Sequence, residues 1–253
     1  MTDLPAVLVT GGAKRIGRAI STDLAARGFP VAIHANTSID EAEELADQLK
    51  LDGCKAAAVD ADLLDVDATS SLVAKASDAC GAPIRLLINN ASIFDNDDVR
   101  DFTQAQFDRH MRVHVAAPAQ LVQSMVRALP ADEDAMVVNI IDQRVRRLTP
   151  NFFTYTLSKS AEWAMTQTMA QALAPQVRVN AIGPGPTLKN FRQADEDFAK
   201  QVAAMPLKRG PALDEFANTI AYLWDAKSVT GQMIALDGGQ HLAWETPDAL
   251  IKE

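Results

Sequence analysis

The sequence predicts an α/β fold: a single-domain, doubly wound parallel seven-stranded sheet with helices on both faces. Three observations predict it. Short apolar runs alternate with amphipathic helical patterns along the chain. The runs are near-continuously apolar, as strands covered on both faces must be, and do not alternate with polar residues. No Gly/Ser-rich linker, low-complexity tract or internal repeat interrupts them, so residues 1–253 read as one domain.

Ala6-Val7-Leu8-Val9 is the first strand, ending at Thr10-Gly11-Gly12. Ile16 to Gly28 follows as an amphipathic helix, with Gly28 as its stop. Val31 to His34 is the second strand, and Glu41 to Leu51 is a helix with an exposed acidic face. Ala56 to Val59 precedes a helix within Asp67 to Cys80, and Arg85 to Ile88 precedes a helix over Phe107 to Ala128. Met136 to Ile141, a helix over Tyr155 to Leu173, and Arg178 to Ala181 continue the alternation. Leu213 to Trp224 is the last helix and Gln232 to Leu236 the last strand.

Composition narrows the function. With 48% hydrophobic and 23% charged residues, 253 residues hold enough apolar material for one sizeable core. A net charge of −9 argues against nucleic acid, whose phosphates call for a basic face. Two cysteines, Cys54 and Cys80, exclude a disulfide scaffold and a four-cysteine zinc site, and no metal site is expected. No apolar run approaches the roughly 20 residues of a membrane span. The start, MTDLPAVLVTGG, lacks the basic region of a signal peptide, so a cytoplasmic protein with no membrane partner is expected.

In doubly wound folds the ligand sits beyond the carboxyl ends of the strands. Chemistry is therefore sought just after each strand. Thr10-Gly11-Gly12-Ala13-Lys14-Arg15-Ile16-Gly17 joins the first strand to the first helix. Glycines there permit a tight turn and close approach of a pyrophosphate to the helix N-terminus; the alternative is a plain turn. Arg15 stands where G-x-G-x-x-G would have a glycine. Asp62-Leu63 follows the third strand, where an Asp can accept an adenine amino group. Asn89-Asn90-Ala91-Ser92 follows the fourth strand, and Asn180 through Pro184-Gly185 follows the sixth. Tyr155 and Lys159 lie one helical turn apart and project from one face.

Together these motifs resemble the short-chain dehydrogenase/reductase family over essentially the whole chain, from Thr10 to Gly239. The resemblance implies an extended Rossmann-type fold and a nicotinamide cofactor. It assigns Gly11, Lys14, Arg15, Ile16, Gly17, Asp62, Leu63, Asn90, Ala91, Ser92, Lys159, Pro184 and Gly185 to cofactor binding. The second strand ends in His34-Ala35-Asn36-Thr37-Ser38, with no acid before Asp40 to hold the adenosine ribose hydroxyls. Asn36, Thr37 and Ser38 can donate to a 2′-phosphate and Arg15 can supply charge, so NADP(H) is favoured over NAD(H).

Reduction of a carbonyl or imine needs a proton donor, and the resemblance gives that role to Tyr155. Lys159 supplies a cation that favours the phenolate, and it binds the nicotinamide ribose. Where the family usually has Ser, thirteen residues before the Tyr, this chain has Asp142. A carboxylate accepts hydrogen bonds rather than donating them, which suits an amino-heterocycle. His114 stands where a relay Asn is common; it either serves that relay or is a satisfied core histidine. The first turn, Asn89-Asn90-Ala91-Ser92-Ile93-Phe94 and Asp142 look like pteridine reductases and the related dihydromonapterin or dihydrofolate-type reductases. That subgroup implies substrate contacts from Arg15, Ser92, Phe94, Asp142 and Tyr155, with Phe94 stacking the pterin.

Arg144, Arg146 and Arg147 crowd the mouth of the expected site. They either attract an anionic substrate tail or form intersubunit salt bridges or a solvated loop. Residues 186–210 are polar and helix-like, and the resemblance makes them a substrate lid. It also implies a homotetramer. The leading reading is an NADP(H)-dependent reductase of small pterin-like substrates. Alternatives are a general ketone or alcohol oxidoreductase and a non-catalytic nucleotide-binding sensor.

Overall fold

The computed structural model describes residues 4–189 and 193–246. Seven strands form one sheet: β1 (Ala6–Val9), β2 (Val31–Ala35), β3 (Ala56–Asp60), β4 (Ile84–Asn89), β5 (Ala135–Ile140), β6 (Val177–Pro184) and β7 (Met233–Leu236). Their order is β3-β2-β1-β4-β5-β6-β7, every pair parallel. The chain runs outward from β1 to β3, then crosses to β4 on the other side of β1. That reversal opens a crevice where β1 and β4 end together, with Val9 in register with Ile88.

Successive strand residues point to opposite faces, so each apolar strand feeds two cores. Val7, Val9, Val31, Ile33, Leu86 and Ile88 pack on one face with Ile20, Leu24, Leu45, Phe216 and Ile220. These last come from α1 (Arg15–Ala26), α2 (Ile39–Leu51) and α8 (Asp214–Asp225). Leu8, Leu87, Val137 and Val179 pack on the other with Leu72, Leu121, Met125 and Ala170, from α3 (Val66–Cys80), α5 (Ala117–Ala128) and α6 (Phe153–Leu173). Each such fully buried side chain contributes about 1.5–3 kcal/mol of transfer free energy.

Caps set the helix ends. The Asp65 carboxylate accepts from the Asp67 and Ala68 amides to start α3, and Gly81 closes it with φ of 67°. Thr103 and Gln106 form a capping box at the start of α4 (Gln104–Met111). The helix expected over Phe107–Ala128 thus begins earlier, and it is not uniform. Residues Arg112–Ala116 form a π turn between α4 and α5. Pro118 has no N–H to return to the His114 carbonyl, so the α ladder is broken at that turn. A single-period reading of the sequence could not show this.

The expected 186–210 segment contains one further helix, α7 (Asp195–Ala203), with no buried residue. Its residues 190–192 lie outside the described residues. Among the described residues, no helix is long and apolar enough to cross a membrane.

Candidate active site

The β1–α1 turn is built by residues that also tie it to β2 and β4. Thr10 Oγ1 accepts from the amides of Asn90 and Ala91 at 2.9 and 3.0 Å. Asn90 Nδ2 donates back to the Thr10 and Gly11 carbonyls. The Gly11 amide donates to His34 Nδ1 at 3.1 Å, while His34 Nε2 meets the Ala61 carbonyl. Gly11 has φ of 61°, a left-handed conformation that favours glycine. A Cβ on Gly17 would come within 2.0 Å of the Gly11 carbonyl oxygen. Backbone therefore approaches backbone at the start of α1, and Lys14, its N-cap, makes no side-chain cap bond. The first amides of the helix are left to an outside acceptor. This cradle fits the pyrophosphate of a dinucleotide.

Tyr155 and Lys159 sit in the first turns of α6. That helix starts after Phe152, which has φ of 58° and provides no side-chain cap. The cap comes from elsewhere. Buried Asp97 accepts from the Thr154 amide and hydroxyl, and its carbonyl accepts from the Phe152 amide at 2.8 Å. His110 Nδ1 meets Thr154 Oγ1 at 2.9 Å. His114 adds a second tie: its Nδ1 meets Ser158 Oγ at 2.8 Å. Its Nε2 accepts from the Ile93 amide at 3.2 Å and lies 3.0 Å from Ser92 Oγ. The Ile93 N–H makes Nε2 an acceptor, which assigns the proton to Nδ1. His114 is thus buried with both ring nitrogens bonded.

The Tyr155 hydroxyl donates to Asp142 Oδ2 at 3.1 Å. Asp142 caps the 3-10 turn Gln143–Val145, accepting from the Arg144 amide. Lys159 Nζ donates to the Ile140 carbonyl and to Glu162 Oε2, each at 2.8 Å, with both side chains 1% exposed. Phe94 stacks on Phe152 with centroids 4.2 Å apart and meets Tyr155 edge-on at 4.8 Å.

Burial, and then the Asp142 carboxylate, push the Tyr155 phenol well above its usual value. Burial also raises Asp142, against the Arg144 amide and guanidinium, which lower it. Burial pushes Glu162 up to about 7, while Lys159 pulls it down. Burial holds His114 well below the usual imidazole value.

A cleft of about 640 Å³ gathers most of the expected residues: Gly11, Lys14, Arg15, Ile16, Gly17, Asn90, Ala91, Ser92, Phe94, Asp142, Tyr155, Lys159, Pro184 and Gly185. Asn36, Thr37, Ser38, Asp62 and Leu63 do not line it. Asn36, Thr37 and Asp62 are exposed beyond β2 and β3, while Leu63 is buried in the core. Lys14 pairs with Glu41 at 2.6 Å. The Arg15 guanidinium donates to the Leu188 and Lys189 carbonyls at 2.9 and 3.1 Å, tying the turn to the expected lid.

The three clustered arginines divide. Arg146 donates to the Met233 carbonyl and Arg147 to the Gln240 carbonyl, both within this chain. Only Arg144 lines the cleft, its guanidinium 5.1 Å from the Phe152 ring centroid. His34, Asp97, Phe152 and Glu162 were missed from the sequence. A helix whose own N-cap position is a Phe is the one signal that could have prompted a search for Asp97.

A switch-point crevice with a glycine turn on one wall and a Tyr-Lys pair on the other defines a nucleotide-linked oxidoreductase. The short chain dehydrogenase family model matches residues 5–199, and the chain belongs to that family of oxidoreductases. The structure of FolM alternative dihydrofolate reductase 1 from Brucella suis, in complex with NADP, is 57% identical, with a TM-score of 0.95. The match covers 98% of this chain and 99% of that one. A blue fluorescent protein from a metagenomic library, in complex with NADPH, is 30% identical with a TM-score of 0.86, covering 93% and 97% of the two chains. A 3-oxoacyl-acyl-carrier-protein reductase of Staphylococcus epidermidis is 27% identical over 240 residues, 93% of this chain and 98% of that protein.

Proposed function

We propose that this protein is an NADP(H)-dependent reductase of a C=N or C=O bond in a small pterin-like substrate of the dihydropterin or dihydrofolate type. The observation that carries the reading is the Tyr155 hydroxyl on the Asp142 carboxylate, beside Phe94, in one cleft. The 57% identity to an alternative dihydrofolate reductase supports it.

The turn Gly11–Gly17 and Asn90–Ser92 would hold the dinucleotide phosphates and ribose, with Asn36, Thr37 and Ser38 at its 2′-phosphate. Lys159, Pro184 and Gly185 would line the nicotinamide end. The bound reduced nicotinamide supplies a hydride. Tyr155 supplies the matching proton from its hydroxyl oxygen to the reduced nitrogen or carbonyl oxygen. Its hydroxyl is held in the cleft by the Asp142 carboxylate at 3.1 Å. Asp142 accepts from ring N–H groups and, once protonated from solvent water, passes that proton to Tyr155 to restore the phenol. Phe94 offers its face to a flat ring. Residues 186–210 act as a lid that excludes water, with Arg15 on the carbonyls of its first part.

A cytoplasmic homotetramer is part of the proposal. Leu242 and Trp244, 65% and 63% exposed, offer apolar surface near the C-terminus for a neighbouring copy.

The test is NADPH and NADH oxidation with dihydrobiopterin, dihydrofolate and a carbonyl panel, using Tyr155→Phe as control. NADPH-linked turnover of the pterins, lost in the control, is expected. Turnover of carbonyls alone would overturn the substrate reading.

A further inference from the structure

Arg144 and two glutamine side chains of the cleft have no role in the proposal above. We propose that Gln143, Arg144 and Gln240 form a subsite for a carboxylate carried on an arm of the substrate, outside its flat ring. This rests on the reading of the cleft as a pterin site, and it names the members of that class the site takes: those with an anionic arm.

The three residues meet where two 3-10 turns come together. Gln143 and Arg144 belong to the turn Gln143–Val145 that follows β5, and Gln240 opens the turn Gln240–Leu242 that follows β7. The two turns pack on each other, and all three residues line the cleft. Gln143 is 8% exposed. Its Oε1, Arg144 Nε and Gln240 Oε1 are each buried, with no hydrogen-bond partner among the described residues. Buried polar atoms are rarely left unpaired, so three of them along one wall of a cleft mark a place built for a ligand. Each glutamine amide can turn an N–H toward a ligand oxygen, because either end of the group fits the same envelope.

Arg144 sets the charge of that ligand. Among the described residues the cations lining the cleft are Lys14, Arg15, Arg109, Arg144 and Lys159. Lys14 pairs with Glu41, Arg109 with Asp95 and Lys159 with Glu162, while Arg15 holds the Leu188 and Lys189 carbonyls. The Arg144 guanidinium forms no ion pair among the described residues; its Nη1 donates to the Thr149 hydroxyl. That leaves its Nε–Nη2 edge without a partner among them. Such an edge grips a carboxylate through two parallel hydrogen bonds. A phosphate dianion would call for a second unpaired cation, whereas a carboxylate needs one. Phe152 stacks on Phe94, and the guanidinium lies over the same Phe152 ring, 5.1 Å from its centroid. The cation is therefore held one ring along from Phe94, and the carboxylate must sit on an arm that extends past the flat ring.

Calorimetry on the NADP-loaded protein tests the subsite with two probes: folate, whose arm ends in carboxylates, and biopterin, whose side chain is uncharged. Arg144→Gln is expected to weaken folate binding about tenfold or more, the size of one lost charge-assisted pair, and to leave biopterin within about twofold. Arg144→Lys keeps the charge without the fork and should recover part of the folate affinity. Added salt should weaken folate binding to the parent more than biopterin binding. Equal losses for both probes would mean that Arg144 only supports Phe152, and unchanged folate affinity would mean that no carboxylate reaches it; either overturns the subsite. A parent that binds neither probe overturns the pterin reading instead. The subsite is then read from 4-acetylbenzoate and its methyl ester, a matched pair of carbonyl compounds. Tighter binding of the acid, lost in Arg144→Gln, supports it, and no preference for the acid overturns it.

Discussion

The Tyr155 hydroxyl donates to the Asp142 carboxylate across 3.1 Å, at the point where β5 ends and α6 begins. A serine at that position would present a hydroxyl able to polarise a carbonyl. A carboxylate presents only acceptors when ionised. The pair therefore favours a substrate that brings its own N–H donors and takes up a proton.

Asp142→Ser tests that preference. The variant should lose dihydropterin turnover by about tenfold or more, at the lower end of the range for a misplaced proton-transfer group. Carbonyl turnover should be retained or increased. NADPH oxidation with both substrate classes measures the ratio, and an unchanged ratio would count against an Asp142 role in substrate choice.

Asn36 stands exposed at the end of β2, where an acid would hold the adenosine ribose. Asn36→Asp places a carboxylate where the 2′-phosphate is proposed to bind. Affinity for NADP should fall about tenfold or more, since an unfavourable charge contact costs at least the 1.4 kcal/mol of a tenfold change. Affinity for NAD should hold or improve. Fluorescence titration of both dinucleotides reads the outcome.

His114 supplies a pH prediction. Its folded value is lowered, chiefly by burial, then by Lys159 and His110. Between that lowered value and the ordinary 6.5, the unfolded chain binds a proton that the folded protein does not. Stability from this group is therefore complete above 6.5 and is lost as pH falls through that window. His114→Asn does not titrate. Its unfolding midpoint, followed by circular dichroism from pH 7.5 to 5, should fall less steeply than that of the parent. Equal slopes would mean that His114 is not buried in its neutral form.

Much of the fold was legible in local pattern. Seven apolar runs were enough, because a strand covered on both faces must be apolar throughout. Gly11, Gly17, Tyr155 and Lys159 were legible because the motifs at the strand ends, taken together, resemble one family. The π turn at Arg112–Ala116 was not, since it comes from one missing N–H at Pro118 inside an otherwise helical period. Arg144, Arg146 and Arg147 looked alike in sequence, and only packing separated the one in the cleft from the two bonded to carbonyls of distant segments.

The sequence by itself determined the class of fold, because strands and helices rest on short-range periodicity, and it marked the turn and the Tyr-Lys pair through the resemblance of the whole motif set to one family. The tertiary structure decided how those groups are charged and held. Asp97 reaches α6 from the loop after β4, His114 bridges that loop to Ser158, and Glu162 takes up the Lys159 ammonium. Burial and long-range hydrogen bonds set these relationships. Neither can be read from residues adjacent in the chain.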